Sequence, residues 1–223
     1  MNFEVQYFLE VFPSLIKYIP LTIGLAVLSM ILAIMMGLII ALITNKRIPV
    51  IYQLLNIILS FFRGTPMLVL LFLIYYGLPQ LFPSFSVINS ITAAIIGLSV
   101  KNAAYLSEIF RAALKSVDEG QLEACLSVGM TRVQSLFRII LPQAIRNAIP
   151  ATGNIFIGVI KETSLAFTLG VVELFAQGKM MASASLRYFE TYLAVAIIYW
   201  ALTIIYSNLQ ELMERKMSKP YIK

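Results

Sequence analysis

The sequence predicts an all-α integral membrane protein with five transmembrane helices, organised as a single domain over residues 1–223. Three observations carry this reading. Of the 223 residues 60% are apolar and only 13% charged, where a soluble domain carries about 45–50% and about 25%. The mean hydropathy is +0.86. At about 20 residues per membrane helix, with turns between, this length holds roughly five spans and little else.

The first ten residues contain Glu4 and Glu10 and no basic residue. A secretory leader starts basic and has an apolar core of only about 7–15 residues. Residues 18–45, an uncharged stretch of 28 between Lys17 and Lys46, therefore read as a first span that is retained. The second span is expected over residues 50–76, between Pro49 and the turn cluster Gly77, Pro79 and Pro83. It is interrupted at Phe62-Arg63-Gly64-Thr65-Pro66, where proline removes a backbone donor and glycine loosens the helix. A third helix is expected over residues 89–115, polar in its second half. A polar stretch, residues 116–147, separates it from a fourth span, 148–170, whose second half holds Lys161, Glu162, Thr163 and Ser164. The fifth span is expected over residues 191–210, which carry no charge, and a basic tail follows at 211–223. No internal repeat is present.

Basic residues orient these spans. One side of the five-span arrangement holds Lys46, Arg47, Lys115, Arg132, Arg138, Arg146, Arg215, Lys216, Lys219 and Lys223; the other holds only Lys17, Lys179 and Arg187. Because cytoplasmic loops collect Lys and Arg, the expected N-terminus is outside and the C-terminus in the cytoplasm. The same rule accounts for the net charge of +6, and no basic run with interleaved aromatics suggests a nucleic-acid partner. With no histidine and one cysteine, neither a disulfide framework nor a zinc or haem site is expected.

This orientation makes residues 116–147 a cytoplasmic loop, the one segment long enough to dock a soluble partner. Asp118-Glu119-Gly120-Gln121 provides an acidic first turn, suited to a helix N-terminus. Gly129 ends that short helix, and residues 131–140 form a second one stopped by Pro142. Within the loop stand Glu123-Ala124-Cys125, three residues, Gly129, nine residues, then Ile139-Ile140-Leu141-Pro142.

That spacing resembles the loop signature of ABC importer permeases, Glu-Ala-Ala, three residues, Gly, nine residues, Ile-any-Leu-Pro, with Cys125 in place of the second alanine. Over nearly the whole chain the sequence resembles permeases of the polar amino acid uptake family, the histidine, arginine and glutamine permease type. The stretches that carry this are Phe62 to Pro66, Tyr105 through Glu108 to Arg111-Ala112-Ala113-Leu114, Glu119-Gly120-Gln121, and Lys161-Glu162-Thr163-Ser164-Leu165. The resemblance implies a type I ABC importer permease fold. It also implies a cytoplasmic ATPase dimer that binds ATP and Mg²⁺, a second permease copy or paralogue, and an extracytoplasmic binding protein delivering the amino acid. It assigns Glu123, Ala124 and Gly129 to coupling with the ATPase; the alternative for Glu123 and Gly129 is a solvated charge and a helix stop. No cofactor is expected in this chain. A phosphate-binding Walker loop needs Gly, four residues, Gly-Lys and Ser or Thr. The one Gly-Lys pair, Gly178-Lys179, is followed by Met180 and has Glu173 where the first glycine belongs, so ATP hydrolysis is expected in a separate subunit.

An ionisable group at the bilayer centre costs roughly 2.5–3.5 kcal/mol on insertion scales, which makes each one a candidate site. Arg63, beside the broken Gly64-Thr65-Pro66, can hold a substrate carboxylate through two parallel hydrogen bonds, or pair with Glu162 or Glu108. Glu162 can meet a substrate ammonium or cationic side chain, while Lys161 points about 100° away on a helix. Thr65, Asn102, Tyr105 and Ser164 complete the expected substrate-binding set, which suits a polar amino acid, basic by preference. Lys101, Glu108 and Lys115, spaced by seven, form a stripe that reads as mutual neutralisation, with Arg111 within reach of Glu108. Gly24, Ala26, Ser29, Ala93, Ala94 and Gly97 read as close packing points. A secondary transporter or channel without an ATPase is the alternative function; the odd span number, the absence of a repeat and the intact loop signature speak against it.

Overall fold

A computed structural model describes residues 3–45 and 48–218, and the regular structure among them is entirely helical. Lys46, Arg47, Lys219 and Lys223, which helped to orient the chain, lie outside the described residues. A short apolar helix that the sequence reading left out, α1 (Val5–Ile16), comes first. The first expected span follows as α2 (Ile19–Asn45).

The second expected span is sharply broken. α3 (Pro49–Gly64) ends at Thr65, whose extended backbone (φ −90°, ψ 132°) is the conformation a following proline imposes on its neighbour. The chain then turns by 110° into a second helical run, Met67–Leu81. That run comprises α4 (Met67–Phe72), a π turn (Leu73–Gly77) and α5 (Leu78–Leu81). Residues 50–76 are therefore not one straight span. Nor do Gly77 and Pro79 close the helix. The Leu78 N–H reaches back five residues to the Leu73 carbonyl, and this widened turn gives the proline ring room without ending the helix.

A 3₁₀ turn (Pro83–Val87) leads into α6 (Ser90–Lys115), where the Asn89 side chain accepts the Thr92 N–H at 2.8 Å as an N-cap. α7 (Glu119–Ser127) is capped by Asp118, which accepts the Gly120 N–H at 2.8 Å. It ends as expected at Gly129, whose φ of +83° only glycine adopts cheaply. Gly129 N–H bonds the Leu126 carbonyl and Met130 N–H the Cys125 carbonyl, each at 3.0 Å, the paired closure of a Schellman motif.

Thr131 and Gln134 form a capping box at the start of α8 (Arg132–Ser135). Pro142 does not stop this helix. A second π turn (Leu136–Ile140), with Leu141 N–H on the Leu136 carbonyl, carries it into α9 (Leu141–Glu162), where Pro142 occupies the first turn. The same device thus precedes Pro79 and Pro142.

α9 tightens into a 3₁₀ segment (Thr163–Leu169) that ends at Gly170. α10 (Leu174–Ser185) then fills a stretch read as an inter-span connection, and α11 (Tyr188–Ser218) extends beyond the expected 191–210 at both ends. By length and apolarity, Ile19–Asn45 and Tyr188–Met217 can each cross a membrane. The bent pairs Pro49–Gly64 with Met67–Leu81 and Arg132–Leu169 with Leu174–Ser185 (55°) pass the same test as pairs. The helix expected as the third span, α6, carries more polar residues.

Small residues bring α2 and α6 together. Ala26, Ser29, Ala33, Ala41, Ala93 and Ala94 are fully buried. A Cβ added to Gly37, which the sequence reading passed over, would meet Leu106 Cβ at 2.9 Å. One core cluster joins Leu25, Met67, Leu71, Ala93, Leu98, Ala166 and Leu169, so α4 and the 3₁₀ segment are folded against α2 and α6. Another packs Val11 and Leu15 of α1 on Leu174, Ala194, Val195 and Ile198 of α10 and α11. Gly24 is not a packing point, since nothing lies within 4 Å of its added Cβ.

Gly37→Leu should accordingly lower stability by about 1–3 kcal/mol through overpacking, while Gly24→Ala should be neutral or gain up to about 1 kcal/mol of helix propensity. Unfolding of the purified variants in mixed SDS micelles, compared with wild type, measures both.

Candidate functional site

The in-span charges converge on α6 from two sides. Pro66 ends α3, so the Arg63 carbonyl loses its helical donor, and the Tyr105 hydroxyl donates to it at 3.0 Å. This bond lays the broken segment against α6. Nearly two turns from Lys101 towards the C-terminal end of α6, Glu108 accepts Arg63 Nη1 at 3.2 Å and also pairs with Arg111, whose Nε lies 2.9 Å from its Oε2. Near the middle of α6, Lys101 Nζ sits 2.9 Å from Glu162 Oε1, and Asn102 Nδ2 donates to Glu162 Oε2 at 3.3 Å. Asn102 also donates to the Leu98 carbonyl at 2.8 Å and is buried.

Two groups of sequence-selected residues are therefore brought together, Arg63 with Tyr105 and Glu108, and Asn102 with Glu162. The expected self-neutralising stripe on α6 is replaced by a different pairing. Glu108 takes two arginines, Lys101 turns to α9, and Lys115 is exposed. Of the partners left open for Arg63, Glu108 is the one in contact, because α9 presents Glu162 to Lys101 instead. Thr65 and Ser164 join neither group. Thr65 donates to the Phe61 carbonyl and Ser164 to the Lys161 carbonyl, both at 2.7 Å, closing turns of their own helices.

Sequence reasoning missed two features. Glu173, fully buried, accepts N–H groups of Phe175 (3.0 Å) and Ala176 (2.9 Å) and the Tyr199 hydroxyl (2.9 Å). Thr22 donates to it at 3.4 Å and accepts the Leu174 N–H at 3.1 Å, so this one carboxylate ties α2, α10 and α11 together. Glutamate just before an apolar run was the available signal, an N-cap position with an atypical residue. The second feature is a cavity of about 540 Å³ lined by Lys161, Ser164, Phe175, Tyr192, Val195, Ala196 and Tyr199.

At the polar loop, Glu123 and Ala124 lie on the exposed face of α7, whereas Cys125 is buried. The departure from the Glu-Ala-Ala pattern thus faces the chain's own interior and leaves the outer surface unchanged. Beside it Leu126, Val128, Val133 and Phe137 are exposed, the last three by 63–77%, an apolar patch of the kind that marks a protein interface.

A helical bundle that holds ion pairs inside its spans around a broken helix, with an exposed capped helix pair, has the build of a membrane permease. The chain belongs to the family described as binding-protein-dependent transport system inner membrane component, which matches residues 33–219; it is an ABC transporter permease. It is 70% identical over 216 residues to a Bacillus subtilis protein named "Probable amino-acid permease protein YxeN", covering 97% of this chain and 96% of that one. With the L-cystine transport system permease protein TcyL of Bacillus subtilis it shares 36% identity over 221 residues, 97% of this chain and 92% of the relative. Among solved structures it superimposes on an amino acid ABC transporter described with histidines at a TM-score of 0.87, with 36% identity, over 97% of this chain and 100% of that one. The expected type I ABC importer permease fold is therefore the fold found.

Lys101 and Glu162 should show strong coupling. Lys101→Met or Glu162→Gln alone strands a partner in an apolar surrounding, while the double variant should recover of order 1–3 kcal/mol of the summed loss. A double-mutant cycle on unfolding in mixed micelles measures it, and additive losses would contradict the pairing.

Proposed function

We propose that this chain is the membrane permease of an ATP-driven importer that moves a polar L-amino acid, basic by preference, across the cytoplasmic membrane of a prokaryote. The observation that carries this reading is the exposed loop knob. Glu123 and Ala124 stand on its outer face, the Gly129 closure holds its shape, and the apolar patch from Leu126 to Phe137 lies beside them. A rigid protrusion of this kind transmits motion from a partner, and a cytoplasmic ATPase dimer holding ATP and Mg²⁺ is the partner that supplies work. The permease acts with a second copy or paralogue, and an extracytoplasmic binding protein delivers the substrate. The N-terminus is outside and the C-terminus in the cytoplasm.

The amino-acid assignment is supported by relatives and by the solved neighbour named for amino acids, one relative for L-cystine and the neighbour described with histidines. The substrate path follows the face of α6 and α9 that holds Asn102, Tyr105 and Glu162, with Arg63 and Thr65 at the broken end of α3 beside it and Ser164 about half a turn around from Glu162. Because Glu162 is already held by Lys101 and Asn102, a substrate reaches it by exchange. A cationic side chain or α-ammonium takes the place of Lys101 when the ATPase drives α6 and α9 apart. Exchange of like for like avoids exposing a bare carboxylate in the membrane, which explains the preference for a positively charged end.

In the complex reconstituted with its ATPase, Gly129→Val should abolish amino-acid-stimulated ATP hydrolysis while leaving amino-acid binding unchanged. Glu162→Gln should weaken binding of arginine, lysine and histidine by about tenfold or more, the loss of one charged hydrogen bond. Stimulation unaffected by Gly129→Val would contradict the coupling role.

A further inference from the structure

Apart from Lys115 at the end of the third, six charged side chains lie within the expected spans: Arg63, Lys101, Glu108, Arg111, Lys161 and Glu162. Five of them meet an opposite charge, Arg63 and Arg111 sharing the one carboxylate of Glu108 and Lys101 sitting on Glu162. Lys161 is the exception. It makes no ion pair among the described residues, its side chain is exposed, and it lines the cavity of about 540 Å³ between α9, α10 and α11.

The rest of that lining explains what an anion there must look like. Phe175 and Tyr192 form a stacked wall, ring centroids 6.0 Å apart and planes at 16°, and Val195 and Ala196 continue it. The Tyr199 hydroxyl is already spent on Glu173, at 2.9 Å. Ser164 sends its proton to the Lys161 carbonyl at 2.7 Å, which leaves its oxygen lone pairs free to accept. The cavity thus offers one cation, one acceptor and an aromatic-aliphatic wall, within a volume typical of small-molecule sites, roughly 300–1,000 Å³.

We propose that this cavity is an amino-acid site in which the Lys161 ammonium holds the α-carboxylate, the Ser164 hydroxyl oxygen accepts from the α-ammonium, and the side chain lies on Phe175 and Tyr192. The carboxylate supplies the charge that Lys161 lacks within the span. The site is separate from Glu162, which faces α6 about a third of a turn around α9. It selects the carboxylate that every amino acid carries, and Glu162 then selects the positive end. The inference rests on the permease reading above.

The test uses the purified permease in its ATPase complex, with the twenty common L-amino acids and their carboxamides as probes and thermal melting as readout. At least one acid should raise the melting temperature and its amide should not. Lys161→Met should raise the concentration needed by about 10- to 100-fold, the worth of a charged hydrogen bond, and Lys161→Arg should restore most of it. Ser164→Ala, which keeps the charge, should give a smaller loss. The proposal is overturned if no amino acid shifts the wild-type melt, if acid and amide act alike, or if Lys161→Met binds as wild type does. It is equally overturned if the Lys161-dependent shift follows phosphatidylglycerol content instead of amino acid, which would mean that a lipid phosphate occupies the cavity. ATP-dependent uptake that survives Lys161→Met unchanged defeats this site alone, whereas no uptake of any amino acid by the wild type defeats the permease reading itself.

Discussion

The contacts that Lys101 and Glu108 make on α6 hold the membrane part of this protein in register. A lone charge in the bilayer interior costs about 2.5–3.5 kcal/mol, and seven residues, nearly two helical turns, separate these two, so one stripe of α6 must face both partners. Lys101 finds Glu162 at the end of α9, and Glu108 finds Arg63 at the end of α3. The rotation of α6 is set by this demand. Close approach of α2 through Gly37 and the buried alanines, and the Tyr105 hydrogen bond to the Arg63 carbonyl, are consistent with that single orientation. The broken helix is part of the same arrangement, because the Arg63 carbonyl, left without a helical donor where α3 ends, is the one Tyr105 captures.

Much of this was legible in the sequence where a local rule dominates. The uncharged run of residues 18–45, the helix starts near Asn89 and at the acidic turn from Asp118, and the left-handed Gly129 each follow from chemistry within a few residues. The break at Gly64-Thr65-Pro66 was legible too, but its 110° turn was not, since the angle depends on where Met67 and Leu71 find a core. Pro79 and Pro142 misled for a related reason. A proline stops an isolated α-helix, yet a π turn placed just before it costs little when the flanking turns are packed in a bundle. The charge partners followed tertiary geometry: a stripe on one helix suggested that Lys101 and Glu108 neutralise each other, and only the neighbouring helices show that each looks elsewhere. Glu173 offered only the local signal of an N-cap before α10, and its larger role, joining α2 to α11, has no signature within a window of sequence.

The functional residues sort by the same logic. The coupling loop was readable because it is a local, capped, exposed structure whose spacing is its shape, and Cys125 proves to be a change on its hidden side. The substrate path was readable only as a list of costly charges. The structure turns that list into one pair, one carboxylate shared by two arginines and a lysine with no ion-pair contact, and so moves attention from Arg63, whose guanidinium is already held, to Lys161 and the exchange at Glu162. With Lys101 and Asn102 of α6 held on Glu162 of α9, parting the two helices takes work from outside.

The most direct test of that claim is uptake of radiolabelled amino acid into liposomes holding the permease with ATP sealed inside, with and without its ATPase subunit. The account predicts accumulation against a gradient only when ATPase and ATP are both present on the side of the Glu123 loop. Accumulation by the permease alone, driven by an ion gradient, would contradict it.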